Sequence, residues 1–198
     1  MIPYFKILGI VCLSTLLLAC ASTESRLGHD QSKPRYSAEF KRAIAAMQAG
    51  DFEAAKTALE SITESAPNYT GPWTNLGIIY AGQRNYVAAE RYFSEALKRR
   101  PKNTIAMNWM GYLSSVKKDY KSASAWYLRA IEIDPAYSDA HLNLAMLYES
   151  SMRRPKEALE HYRIYQSQTN AENTLVSAWI RNLEESINYV ASNSEVDR

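Results

Sequence analysis

The chain has 198 residues, 46% of them hydrophobic and 22% charged, with 23 Lys and Arg against 21 Asp and Glu for a formal charge of +2. That near-balance gives no basic face of the kind nucleic-acid binding requires, and the composition suits one all-helical domain with enough apolar residues for a core. With only two cysteines, Cys12 and Cys20, stability must rest on packing rather than on a disulfide framework.

In chain order, Lys6 precedes an apolar run from Ile7 to Leu18, and Leu17-Leu18-Ala19-Cys20 overlaps its end. A positive start, a short apolar stretch and a small residue before the processing point describe a secretory signal over residues 1–19, since a bilayer span needs about 20 apolar residues. The Leu-Leu-Ala-Cys quartet resembles a bacterial lipobox. That resemblance implies removal of the leader, with Cys12 in it, and acylation of Cys20. Several acyl chains hold a protein stably to a membrane, each buried CH2 contributing about 0.8 kcal/mol. A plain leader cut near Cys20, or a buried Cys12–Cys20 pair, is the alternative reading. Residues 20–35 are polar and turn-rich, a tether reaching on the order of 20 Å. Ala21 and Ser22 lack the Asp that favours inner-membrane retention in enteric lipoproteins, so the resemblance implies the outer membrane, facing the periplasm.

Pro67, Pro101 and Pro135 then recur at intervals of 34 residues, each closing a segment with the same helical pattern of small and large apolar residues. A period of about 20–50 residues marks a repeat architecture in which each hairpin buries its apolar face only against its neighbours. Before Pro101 stand Trp73, Leu76, Gly77 and Tyr80 on one helical stripe and Ala89, Phe93 and Ala96 on the next. At those offsets the residues resemble a tetratricopeptide repeat (TPR). The same offsets give Met107, Met110, Gly111, Ala123, Tyr127 and Ala130, with Ser114 in place of Tyr80, and then His141, Leu144, Ala145 and Tyr148. The fourth unit's second helix aligns after one inserted residue near Arg153 and Arg154, bringing Ala158 and Tyr162 into line. Ala43, Ala46, Ala55, Leu59 and Ile62 form a degenerate first copy. The expected fold is therefore an all-α α-solenoid of about four TPR hairpins (36–69, 70–103, 104–137 and 138–172). A capping helix over 173–190 and a disordered tail over 191–198 follow, with Leu175, Val176, Trp179, Ile180, Leu183, Ile187 and Val190 as the cap's apolar stripe.

The first helices of TPR hairpins line a concave groove. By that resemblance the groove receives Phe40, Ile44, Asn75, Ile78, Asn108, Trp109, Tyr112, Asn143 and Met146. Such aromatic and apolar positions edged with amides suit an apolar helix or an extended peptide whose main chain meets Asn75, Asn108 and Asn143. Some TPR proteins grip a terminal carboxylate with a Lys, Asn and Arg clamp. Here Phe40 and Ile44 stand where the first repeat's Lys and Asn would be, which argues against that clamp. Anchor plus repeats is similar to the small TPR lipoproteins of Gram-negative envelopes, notably the PilW/PilF pilotins of type IV pili and the TadD proteins of Flp pili. The resemblance implies an adaptor whose partner is a secretin, a pilus component or another envelope assembly protein. The alternative is an NlpI-like adaptor that presents a periplasmic protease or peptidoglycan hydrolase to its substrate.

Signals for catalysis are poor. No phosphate loop, G-x-S-x-G elbow or H-E-x-x-H motif occurs. Glu157 and His161 lie one helical turn apart, but two ligands do not make a metal site, and a surface ion pair with a packed imidazole is the simpler reading. The basic run Lys98, Arg99, Arg100 and Lys102 reads first as the complement of a helix C-terminus. The sequence therefore predicts no enzyme, no cofactor, no metal, no nucleic-acid partner and no small-molecule substrate.

Overall fold

The computed structural model describes residues 36–169 and 174–196, so the expected leader, the tether and Cys20 lie outside the described residues. Among those described, the chain is all α. The helices are α1 (Ser37–Gln48), α2 (Phe52–Ser65), α3 (Thr70–Gly82), α4 (Tyr86–Arg99), α5 (Thr104–Val116), α6 (Tyr120–Ile133), α7 (Ser138–Ser150), α8 (Pro155–Thr169) and α9 (Thr174–Val196). They fall into two compact units, one ending at Arg100 and the other beginning at Pro101. In the first, α1 packs on α2, α2 on α3 and α3 on α4. In the second, α5 to α9 pack each on the next, and α5 also touches α7. No helix among the described residues is long and apolar enough to cross a membrane.

The sequence period has a local cause in the turn within each hairpin. Gly50 (φ 80°), Arg84 (φ 60°) and Lys118 (φ 62°) hold equivalent left-handed positions. Each is followed by a residue whose side chain caps the next helix: Asp51 accepts from Ala54 N–H at 3.0 Å, Asn85 from Ala88 at 3.2 Å and Asp119 from Ser122 at 3.1 Å. The same three residues donate their own N–H back to Ala46, Tyr80 and Ser114 carbonyls at 2.9 Å. Left-handed backbone disfavours a side chain with a Cβ by about 1–2 kcal/mol, so these paired bonds must hold Arg84 and Lys118 in place. In the fourth hairpin the turn is one residue longer, and the left-handed position falls on Arg153 (φ 53°), where the inserted residue was expected. Asn85→Ala should cost about 1 kcal/mol in urea unfolding while Asn85→Asp stays near neutral, because only the acceptor oxygen is required.

Close approach within the hairpins depends on two glycines. A Cβ at Gly77 would stand 2.6 Å from the Phe93 ring, and one at Gly111 would stand 2.5 Å from the Tyr127 ring. Both rings are buried, as are Ala89 and Ala123 on the same helices. Around the first pair of hairpins Ala43, Met47, Ala55, Leu59, Ile62, Leu76 and Ile79 form the core. The second unit's core runs from Tyr127 through Leu144, Ala145, Ala158 and Tyr162 to Val176, Ile180 and Leu183.

Half of the basic run is engaged within its own hairpin. Arg99 and Lys98 pair with Glu95, and the Arg99 guanidinium lies 4.0 Å from the centre of the Trp73 ring. Helix α9 caps α8 through Val176, Ile180 and Leu183, and Trp179 lies against Tyr162 at 5.8 Å. Leu175, expected on that stripe, is exposed. The helix continues to Val196, so the tail expected from Ala191 is helical through that residue. Once a helix is nucleated, each further turn needs only its own backbone bonds, which is why loss of apolar period did not mark its end.

Candidate functional site

The nine residues expected to line a groove divide by unit and by what their side chains do. In the first unit Phe40 is only 8% exposed and meets Tyr69 edge-on at 5.1 Å, which makes it core. Ile44 and Ile78 are half-buried against that same core. Asn75 is buried, and its amide donates at 2.9 Å to the Gly71 carbonyl one turn back on its own helix.

In the second unit the remaining five are brought together. Asn143 Nδ2 donates to Asn108 Oδ1 at 3.0 Å, and Asn108 Nδ2 donates to the Tyr137 hydroxyl at 3.5 Å. This ladder ties α5 to α7 in register. Asn108 is 2% exposed, and leaving its amide without partners would cost about 1–3 kcal/mol, so the ladder is a structural fastening. The amides of Asn75 and Asn108 are therefore spent inside the protein rather than presented to a peptide main chain. With the ladder as its floor, the face carries Trp109 and Tyr112, in an edge-on pair at 5.5 Å and 83°, beside half-exposed Leu142 and Met146. Trp109 is 6% exposed and acts as the wall, while Tyr112 and Met146 reach solvent.

A second arrangement, on the α7–α8 side, was not expected from the sequence. Trp73 Nε1–H donates to the Pro67 carbonyl at 3.0 Å, and Arg99 donates to the same oxygen. At the equivalent place His141 Nε2 lies 3.2 Å from the Pro135 carbonyl, which also accepts from Gln168 Nε2 at 2.7 Å. His141 thus stands in for a tryptophan as a ring N–H donor. Its other nitrogen, Nδ1, lies 2.9 Å from His161 Nδ1. The signal available in the sequence was the shared offset of Trp73 and His141 from Pro67 and Pro135. Glu157 pairs with Arg154 at 2.8 Å rather than with His161. Among the described residues no three His, Cys, Asp or Glu side chains gather as metal ligands. Burial, reinforced by the Glu149 carboxylate that accepts its hydroxyl at 2.7 Å, pushes the Tyr162 phenol far up.

With this geometry in hand, profiles of the tetratricopeptide repeat match residues 40–86 and 74–138, and a second such profile matches 126–160. The chain belongs to the tetratricopeptide repeat family. Among solved structures it is similar to that from the functional characterization of Pseudomonas aeruginosa pilF, at 21% identity and TM-score 0.68 over 81% of this chain and 72% of that one. It is also similar to a MamA RS-1 ArsTM double mutant, at 18% identity and TM-score 0.64 over 82% and 90% of the two chains. The first TPR of Spaghetti (RPAP3), bound to an HSP90 peptide, gives 15% identity and TM-score 0.54 over 59% of this chain and 90% of that one. At such identities these neighbours establish the fold alone. Of curated relatives, Anaphase-promoting complex subunit 3 of Schizosaccharomyces pombe is 26% identical over 48% of this chain. The Sol locus transcriptional repressor of Clostridium acetobutylicum is 33% identical over 37%. The matched segments span only 14% and 23% of those two proteins. TPR repeats are protein-binding scaffolds, and the fold supports that class of function here.

Proposed function

We propose that this TPR protein is a lipid-anchored adaptor on the periplasmic face of the outer membrane, and that it assists assembly of a pilus, secretion or other envelope complex. The reading rests on two independent supports. The Leu17-Leu18-Ala19-Cys20 sequence supports the anchor, and the aromatic and apolar face of α5 and α7 supports docking. Likeness in fold to PilF is in keeping with it. The single observation that carries the docking half is the Trp109–Tyr112 ring pair, in which buried Trp109 backs a Tyr112 ring that reaches solvent. A partner on this face is held by side-chain packing rather than by amide-to-main-chain bonding. The HSP90 peptide bound to the Spaghetti TPR, SRMEEVD, carries three acids and one base. The α5–α7 face has no Lys or Arg to meet a peptide of that kind.

A photoreactive residue at Tyr112, with exposed Lys121 as control, tests this in intact cells. Capture of a secretin or pilus component from Tyr112 alone is the expected result, with Cys20→Ala releasing the protein from the membrane fraction and abolishing palmitate incorporation. Capture of a peptidoglycan hydrolase or protease would instead make the protein an enzyme-presenting adaptor. Silence at Tyr112 with capture near Trp179 would move docking to the α8–α9 end and refute the face.

A further inference from the structure

The placement of charge in the second unit bears on the chemistry of a partner at the docking face. Helix α5 (Thr104–Val116) carries no ionisable side chain of either sign except Tyr112. Helix α7 (Ser138–Ser150) carries two acids, Asp139 and Glu149, one histidine and no base. Asp139, Leu142, Met146 and Glu149 recur at helical spacing on one stripe, and the Asn108–Asn143 bond sets that stripe beside Trp109 and Tyr112. The two acids thus bracket the apolar face at its two ends. His141 does not share it, being 3% exposed and turned to Pro135 and His161.

The unit is not short of bases. Lys117 and Lys118 lie in the α5–α6 turn, Arg153 and Arg154 in the α7–α8 turn, and Lys121 and Arg129 on α6. The turn lysines sit past the carbonyl end of α5, which their charge complements, and Arg154 is paired with Glu157. Every base of these hairpins stands off α5 and α7. Glu149 stands in the last turn of α7, where a carboxylate opposes the helix dipole rather than complementing it. Its contact with the Tyr162 hydroxyl occupies one oxygen, Oε2, and the residue remains exposed.

The geometry points to a partner segment that is both apolar and positively charged, an amphipathic stretch with Lys or Arg flanking large apolar residues. Its apolar side chains pack on Tyr112, Leu142 and Met146 against the Trp109 wall, while its cations meet Glu149 and the half-buried Tyr112 ring, with Asp139 adding negative charge at the far end. An acidic segment is rejected, because no base on the face compensates its desolvation. This inference rests on the docking role proposed above and adds the sign of the partner's charge.

The test uses the full chain and two fluorescein-labelled helical peptides of identical Leu and Phe spacing, one with Lys at every polar position and one with Glu. Fluorescence anisotropy at low salt should show the Lys peptide binding about tenfold more tightly, with the advantage shrinking as salt rises to about 0.5 M. Asp139→Asn with Glu149→Gln should bring the two peptides to within about threefold. Tyr112→Ser should weaken both peptides alike, since it removes packing and not charge. Equal or tighter binding of the Glu peptide, with Tyr112→Ser still weakening both, overturns the charge assignment and leaves the docking face standing. Binding of neither peptide, or binding indifferent to Tyr112→Ser, overturns both.

Discussion

Phe93→Ala is expected to lower the unfolding free energy by about 3–5 kcal/mol, with the loss centred on the α3–α4 hairpin. Phe93 is fully buried, and its ring fills the space that Gly77 leaves open on the facing helix. The partner substitution tests that geometry from the other side. Gly77→Ala gains about 1 kcal/mol of helix propensity but drives a Cβ to 2.6 Å from a ring with nowhere to go. Overpacking of that kind costs about 1–3 kcal/mol, so the net sign is a loss. In a Phe93→Leu background the same Gly77→Ala change should be neutral or stabilising, because the narrower side chain vacates the contact. Urea midpoints of the four proteins close the cycle. A coupling of about 1 kcal/mol or more is expected, and additivity to within about 0.5 kcal/mol would show that the two positions do not meet. Because a repeat stack holds each hairpin mainly through its neighbours, hydrogen exchange should report lost protection in α3 and α4 before α1.

Much of this was legible in the sequence because the repeat writes the same physics at a fixed interval. Pro67, Pro101 and Pro135 interrupt the chain where one hairpin must end, and Gly77 and Gly111 stand where two helix axes converge on an aromatic ring. Even the single inserted residue near Arg153 showed as a slip in register, and the structure puts it in a turn, where an extra residue disturbs no helix. What escaped were bonds between side chains on different helices, both within a hairpin and between successive ones. The Asn108–Asn143 ladder and the His141–His161 contact join residues 35 and 20 positions apart, and no local period announces either. At Phe40 and Asn75 the side chains are engaged within the protein. Both occupy positions that face the groove in a long stack, yet Phe40 closes over the first core and Asn75 turns back on Gly71. A repeat template gives a position's direction, and what the side chain finds there depends on neighbours the template does not specify.

The second large effect is a loss of stability on acidification, carried by the His141–His161 pair. A carbonyl only accepts, so the bond to Pro135 fixes the hydrogen of His141 on Nε2 and leaves its Nδ1 bare. His161 must then donate its Nδ1–H across the 2.9 Å gap. The chain of bonds from His161 to His141 to Pro135 exists only while His141 is neutral, since protonating it sets two N–H groups against each other. Burial, and then the neighbouring imidazole, depress His161 from 6.5 to about 4. Burial also lowers His141, although the Pro135 carbonyl offsets part of that. The two titrate as one unit. Among the described residues, Glu157, one turn from His161, is held by Arg154, whose guanidinium lies over the Tyr148 ring, and Tyr148 and Gln168 are the uncharged neighbours of the pair. The unfolded chain therefore takes up protons first. Stability is fully present above pH 6.5, falls as the pH drops below it, and the His161 loss is complete below about pH 4. A full shift of that size is worth about 3 kcal/mol, and partial exposure of the His161 ring screens it to about 1–2 kcal/mol. His161→Gln keeps an amide donor for His141 Nδ1 and cannot titrate, so its urea midpoint should vary less between pH 7 and pH 4.5 than that of the natural chain. NMR should find the His161 ring neutral at pH 5.5. Ordinary titration of both rings near 6.5, or an identical pH slope in His161→Gln, would show that the imidazoles do not hold the fourth hairpin closed.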